Sequence, residues 1–341
     1  MTKEELQDII KSHEKWLNCG NGKRAILCDV DLSNIDLNHS DLRGADLSGA
    51  KLCYADLSNA KLCDINLRDA DLRGTDMSHS DLRGADLSCA NLGSANLSNA
   101  SLGFTDLSDA VLHHANLHHA KLNNTNLSRA DMSEVDLHDA NLNNVCMDYA
   151  NLSYINMSYV ELKDVSMKYA NLYIANLNHA KLCGVDLYSA DIKTDLCDSS
   201  LIDVDLSGAN LSSADLRCAS LRKVKCDEHT AFYALQCPEE GSFIGYKKAH
   251  GYIIKLEILA DAKRSSATSR KCRCSAAKVL SITAVDGNEE VKEIASDKDS
   301  NFIYRVGEIV RVDNFDENRW NECSTGIHFF ITRREAEQYR A

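Results

Sequence analysis

A five-residue period runs through this chain from Ala25 to about Val224, and its plainest form is Ala45-Asp46-Leu47-Ser48-Gly49. With Leu47 as the centre, steps of five reach Leu32, Leu37, Leu42, Leu52, Leu57, Leu62, Leu67 and Leu72, with Met77 as the first substitute. The series continues to Ile192, and Met132, Met147, Met157 and Met167 are further variants. Two positions before each centre stands a small or β-branched residue, such as Ala45, Ala55, Ile65, Thr75, Ala95, Val145 or Val165. The other three positions are polar. This period matches neither a helix, at about 3.6, nor a strand, at about 2. Two inward and three outward residues per unit describe a chain that turns a corner every five residues.

On these residues the sequence resembles the pentapeptide repeat proteins, whose motif is A(D/N)LXX. The resemblance covers about 200 residues. It implies an all-β solenoid, a right-handed quadrilateral β-helix in which four units make one square coil, with about ten coils here. Strands stacked about 4.8 Å apart give a length of about 50 Å. A lumen a few ångströms wide accepts Ala and Leu but not Phe or Trp, in keeping with a chain that is only 6% aromatic. Phe104 falls at an outward position. Each coil touches only its neighbours, so capped ends are a requirement.

The rhythm slips once. After Ile192 the next centre is Leu196, so one unit is a residue short at Lys193-Thr194, and a tightened corner is expected there. Ahead of the array, Thr2 and Glu5 have capping-box spacing, and Leu6, Ile9, Ile10, His13 and Leu17 share a helical face. A helix over about 3–18, closed by Gly20-Asn21-Gly22, would cover the first open coil. Beyond Cys226 the composition changes. Six β-rich stretches, Phe243–Tyr246, Tyr252–Ile258, Lys278–Ile282, Phe302–Val306, Glu308–Val312 and Ile327–Ile331, precede a helix over 333–339 capped by Thr332. The expected plan is a helical cap (1–24), the β-helix (25–226), a helical linker (227–240) and an α+β domain (241–341). Lys263-Arg264-Ser265-Ser266-Ala267-Thr268 and Gly326-Ile327-His328-Phe329-Phe330 resemble an uncharacterised domain found behind such arrays in bacterial and phage-encoded proteins.

The chain carries 38 basic and 51 acidic side chains, a net charge of −13. That balance disfavours direct binding to nucleic acid or to a membrane surface. No apolar run approaches bilayer length, the charged first residues do not form a secretory leader, and 14 cysteines without one point to free thiols in the cytoplasm.

Residues twenty apart stack in columns. The column Asp41, Lys61, Asp81, Ser101, Lys121, Asn141, Glu161, Lys181 largely alternates in sign, a structural pattern. Asp36, Asp56 and Asp76 do not alternate, and Asp46 and Asp86 are expected to join them round the corner. Some proteins of the resembled family mimic duplex DNA and bind gyrase or topoisomerase IV, so a type II topoisomerase is one candidate partner. Against it, this rod falls short of the charge density of DNA, and Arg43, Arg68, Arg73 and Arg83 lie close to many of the acids. His113, His114, His118 and His119 are outward, with His79 and His39 further down one column. A convex corner rarely supplies a convergent ligand shell, so they are read as solvated and no metal is expected. Tyr149, Tyr154, Tyr159, Tyr169, Tyr173 and Tyr188 are outward within about two coils. They suggest either a docking patch, for a protein partner or a second copy in a homodimer, or cross-coil stacking of Tyr149 on Tyr169.

In the C-terminal part, Lys263, Arg264, Arg270, Lys271 and Arg273 form the one basic run, read as an exposed loop with anion binding as the alternative. Cys323 and His328 invite a nucleophile–base reading, but no orienting Asn or Asp is identifiable. Cys272-Arg273-Cys274 with Cys323 lacks zinc-site spacing. The expectation is a non-catalytic interaction scaffold without cofactors. The alternatives are a DNA mimic acting on a type II topoisomerase and an enzyme seated in the C-terminal domain.

Overall fold

The structure, a computed structural model, describes residues 2–216, 219–231, 235–267, 269–319 and 324–339. Two compact units divide the chain: Met1–Asn210 with Ala219–Thr230, and Leu211–Cys218 with Ala231–Ala341.

The first unit is a solenoid. Parallel bridges link residues twenty apart in four series that begin Ile26↔Asp46, Asp31↔Lys51, Asp36↔Asp56 and Asp41↔Lys61, so four five-residue units close each coil. One series widens into three-residue strands: β1 (Asn141–Asn143), β2 (Glu161–Lys163), β3 (Lys181–Cys183), β4 (Ser200–Ile202) and β5 (Ser220–Arg222), paired in that order. The unit around Leu47 shows where the amide hydrogens go. Asp46 N donates to Ala25 O at 2.9 Å, Leu47 N to Asn66 O at 2.7 Å, Gly49 N to Arg68 O at 2.8 Å, and Ala50 N closes the turn on Leu47 O at 3.1 Å. The fifth amide, Ser48 N, is taken by the Asp46 carboxylate at 3.2 Å. Asp31, Asp56, Asn126 and Asn176 repeat this Asx contact at 2.9–3.1 Å. Buried amides need partners, and the Asp or Asn of the motif supplies the one that the coils lack.

The core is a column of Leu centres with Ala, Val or Ile between them. Where Thr replaces Ala, at Thr75, Thr105 and Thr125, its hydroxyl donates to a carbonyl of the preceding coil at 2.7–2.8 Å. At the short unit, Asn176↔Asp195, Lys181↔Ser200, Asp186↔Asp205 and Asp191↔Asn210 are nineteen apart, and Ser200↔Ser220 restores twenty. Thr194 is buried in that tightened corner, its hydroxyl donating to Ala175 O.

The helix α1 (Lys3–Cys19) has the expected Thr2–Glu5 capping box and ends on Gly20 at φ 70°. Leu6 and His13 are its buried residues. Gly22 has no alternative: a Cβ there would lie 1.9 Å from Ser12 O and 2.4 Å from Trp16 N, both backbone atoms. That approach brings Ala25 N to His13 Nδ1 at 3.1 Å and Lys23 N to Ser12 Oγ at 3.0 Å. Between 227 and 230 the expected helix does not form. Asp227 instead accepts from Gly208 N and His229 N, and the Thr230 hydroxyl donates to Leu206 O at 2.9 Å. The side chains that would have started a helix are engaged by the last coil, and the described residues of 235–240 form only bends.

In the second unit, β6 (Phe243–Ala249), β7 (Tyr252–Ile258), β8 (Arg264–Ser266), β9 (Cys272–Cys274), β10 (Ala276–Ala284), β11 (Glu293–Ala295), β12 (Ile303–Arg305), β13 (Ile309–Arg311) and β14 (Ile327–Phe329) make three antiparallel sheets. Their orders are β13-β10-β7-β6, β14-β9-β8 and β11-β12. The core gathers Leu256, Ile258, Cys272, Cys274, Val279, Tyr304, Ile327 and Phe329. The helix α2 (Arg333–Gln338), with Thr332 and Glu335 in a second capping box, buries Ala336 against Ile253 and Phe330.

His13 accepts the Ala25 amide, so it must be neutral, and burial lowers its pKa below the ordinary imidazole value. A depressed folded value means stability that is present above about pH 6.5 and lost as the pH falls through the folded value. His13→Ala is expected to destabilise the N-terminal coils by about 2 kcal/mol at pH 8. The gap from wild type should narrow below about pH 6.5; hydrogen exchange of the first coils across pH measures both.

Candidate functional site

The outer surface is set by the corners. The last residue of each turn has positive φ, including bulky residues such as Phe104 (61°), Arg129 (60°), Tyr149 (62°) and Ile174 (54°). Such corners point side chains outward, and corner residues twenty apart lie directly over one another. The chemistry is matched along these columns. Arg129 pairs with Asp109, His114 Nδ1 lies 3.3 Å from Glu134 Oε2, Tyr149 stacks on Tyr169 at 4.8 Å and Tyr159 on His179 at 4.7 Å. Beside the corners, Asn side chains donate one coil down, Asn66 to Asp46, Asn96 to Asp76 and Asn151 to Asp131, at 2.9–3.0 Å.

The acids do not form the expected single patch. Asp36, Asp56 and Asp76 share one series of bridges and Asp46 and Asp86 another. The two series are ten residues apart, half of a coil, so they occupy opposite sides. Asp36 and Asp76 accept from Asn38 N and Ser78 N, and Asp86 from both Ser88 N and Ser88 Oγ. Asp41, Asp71 and Asp81 are gripped in two-point ion pairs by Arg43, Arg73 and Arg83 at 2.6–2.8 Å. The guanidiniums of Arg73 and Arg83 hold Asp71 and Asp81 down to about 2.

The six tyrosines are 40–63% exposed and fall on three corners. Tyr149 and Tyr169 stack in one column, and Tyr188, one residue before the next corner residue Ser189, meets Tyr169 edge-to-face at 5.6 Å. Tyr154 and Tyr173 meet edge-to-face at 5.7 Å on the next corner, where Lys193 Nζ sits 5.9 Å from the Tyr173 ring. These two corners border one face, that of Asn151 and Asn171. Tyr159 stands apart on a third corner with His138 and His179.

The histidines converge more than their outward phase predicts. His113, His114 and Glu134 bring their ligand atoms within 4.8 Å of one another, and His118, His119 and Asp139 do the same one corner on. A depression of about 390 Å³, lined by His114, Ala115, Asn116, His118, Glu134 and Asp136, lies between them. The sequence reading missed Glu134 and Asp139. Each lies one coil beyond the second histidine of its pair, a spacing that the twenty-residue columns could have revealed.

The basic run is mostly committed inside its own unit. Arg264 donates to the carbonyls of Pro238, Gly241 and Leu259. Arg273 is 1% exposed and lies over the Phe315 ring; it donates to the carbonyls of Asp316, Thr325 and Asn318 at 2.8–3.1 Å. Carbonyls take the donors that an anion would need, so these two residues do not form the anion site. Lys263 pairs with Glu317 and Arg270 with Glu335, while Lys271 is buried near the Tyr339 hydroxyl. Cys272 and Cys274 are buried, and burial pushes the Cys274 thiol up to about 12. Cys323 lies outside the described residues. No helix among the described residues is long and apolar enough to cross a membrane.

Comparison with known proteins places the repeat and the C-terminal part separately. Segments from 31 to 187 and from 192 to 225 match the model for pentapeptide repeats, in 8 copies. Residues 233–336 match a model described as "Family of unknown function (DUF5758)". Among solved structures, the chain is similar to HetL, a pentapeptide repeat protein involved in heterocyst differentiation regulation from Nostoc sp. strain PCC 7120. Identity is 32% over 66% of this chain and 94% of HetL, with a TM-score of 0.51. A pentapeptide repeat protein of the Arabidopsis thaliana thylakoid lumen is 34% identical over 33% of this chain and 72% of its own, with a TM-score of 0.24. QnrB1, a plasmid-mediated fluoroquinolone resistance protein, is 18% identical over 60% of this chain and 92% of its own, with a TM-score of 0.32. No curated protein matches.

Because three carbonyls depend on one planar fork, Arg273→Lys is expected to destabilise the second unit by about 3 kcal/mol. Hydrogen exchange should show protection lost across β8, β9 and β14 and retained in the coils.

Proposed function

Since the chain belongs to the pentapeptide repeat family, whose sequence model covers more than half of it, we propose that it is a non-catalytic protein-interaction scaffold. In this reading its β-helix offers a tyrosine-bordered face to a protein partner and carries the C-terminal domain as a second recognition element. The supporting observation is the pair of neighbouring tyrosine clusters, Tyr149, Tyr169 and Tyr188 at one corner and Tyr154 and Tyr173 at the next, held open to solvent across the Asn151–Asn171 face. Tyrosines whose rings are already ordered by stacking lose little conformational freedom on binding, which is how aromatic anchors contribute most at an interface. The regulatory role of HetL agrees with a protein that acts by binding. Free cysteines among the described residues suit the reducing cytoplasm.

DNA mimicry is the weaker reading, because the motif acids serve their own turns and three of them, Asp41, Asp71 and Asp81, are also neutralised by arginine. The test replaces Tyr149, Tyr154, Tyr169 and Tyr173 by Asn, a residue that tolerates the left-handed conformation of the first three. With the circular dichroism spectrum retained, the variant is expected to lose the host proteins that wild type captures, by tenfold or more. Equal capture refutes the docking face. An effect of wild type on topoisomerase supercoiling that survives in the variant replaces this reading with mimicry.

A further inference from the structure

We propose that this chain binds two late first-row divalent metal ions, with zinc as the reference case. One would sit in His113, His114 and Glu134, and the other in His118, His119 and Asp139. The proposal is independent of the docking face. Each triad brings two imidazoles and a carboxylate within 4.8 Å, a nitrogen–oxygen donor set suited to zinc, nickel or copper rather than to calcium or magnesium.

The hydrogen bonds set the ring orientations. His113 Nδ1 lies 2.9 Å from Ser133 Oγ, whose own proton goes to Asp131, and 3.2 Å from Ser133 O, and His118 Nδ1 lies 3.0 Å from His138 O; with acceptors opposite, both Nδ1 atoms carry the proton. The lone pair is thereby placed on Nε2 of both rings. Histidines bound to metals are oriented in this way, one ring nitrogen donating to a carbonyl while the other ligates. His138 is a candidate fourth donor at the second site. Its Nδ1 lies 3.3 Å from Ser158 O, and its Nε2 faces Asp139 Oδ2 at 3.4 Å. A lone pair opposite a carboxylate is repulsive unless a proton or a metal ion lies between them.

The spacing also fits. Ligand bonds of about 2.0–2.1 Å in a tetrahedral site hold donor atoms about 3.3 Å apart. His114 Nδ1 and Glu134 Oε2 already stand 3.3 Å apart, while His119 Nδ1 and Asp139 Oδ2 are at 4.0 Å. Rotation of half-exposed side chains closes the remaining gaps. Backbone pairing fixes the positions from which the donors project. His114 N donates to Ser133 O and His119 N to His138 O, which locks each corner to the one above it. The sites repeat each other as Leu-His-His-Ala at 112–115 and 117–120, each with a carboxylate one coil beyond its second histidine. Three protein ligands at the first site leave coordination positions open to water, and they border the depression between the triads.

Untagged full-length protein, kept reduced, is titrated with Zn²⁺ by calorimetry, and Co²⁺ spectra report the ligand type. His114→Asn, His119→Asn and the double variant are the controls; all three place Asn at left-handed corners, where it is well tolerated. Wild type is expected to bind two equivalents, with a Co²⁺ spectrum of nitrogen and oxygen ligands. Each single variant should weaken one equivalent by tenfold or more, and the double variant should weaken both. Three outcomes overturn the proposal: no saturable binding below millimolar metal, a Co²⁺ spectrum of thiolate ligands alone, or a double variant that binds as wild type does.

Discussion

In most five-residue units of this solenoid, one backbone amide is accepted neither by its own turn nor by the adjoining coil, and an Asp or Asn two residues earlier accepts it. The rest of the architecture depends on that contact. Without it, each of those corners would leave a donor facing a crowded edge, at a cost comparable to a lost hydrogen bond. The corner also requires a left-handed residue, at about 1 kcal/mol or more where that residue is neither Gly, Asn nor Asp. The coils accept this repeatedly, even at Ile174 and Phe104, because the pairing above and below leaves the backbone no other course.

The acidity of the protein follows from the same contact. The motif needs a short side chain with an acceptor, and Asp and Asn both supply one. Asn adds a donor, and it uses this to reach the residue one coil below, as Asn96 does to Asp76 and Asn116 to Asn96. A column that mixes the two is therefore stitched together, whereas Asp36 and Asp56 in succession must look elsewhere, and Asp56 finds the Asn38 amide. Much of the negative charge is thus a by-product of closing turns, and its sign carries little information about a partner.

This division explains what could be read from the sequence. Leu centres and Ala partners specify burial directly, so the solenoid, its phase slip and α1 were legible residue by residue, as were the longer strands β6, β7 and β10. Strands β8 and β9 were not, because Arg264–Ser266 and Cys272–Cys274 are short and include the buried Arg273, a residue whose type signals exposure. The linker failed for a related reason, since Asp227 and Thr230 are helix starters whose side chains the last coil had already engaged. The expected acidic patch does not form because Asp36 and Asp46, two units apart, lie on opposite sides of the coil. Ten residues here are half a turn. The convergence of the histidines is not visible within one coil, because the carboxylate that completes each set comes from the next.

A surface organised this way also limits where function can lie. Most outward side chains are satisfied by the residue one coil away: Arg129 by Asp109, Lys225 by Asp205, Tyr149 by Tyr169. A partner must compete with those contacts or use groups whose capacity they leave open. Stacked tyrosines qualify, since each ring in a stack keeps an edge and a hydroxyl for a newcomer. Imidazoles that give Nδ1–H to a carbonyl qualify too, since the lone pair on the other nitrogen still lacks an electrophile. Paired carboxylates and guanidiniums do not. The groups with open capacity concentrate between His113 and Tyr188, and it is on this stretch, more than on the acidic coils before it, that selection for a ligand or partner would leave its mark.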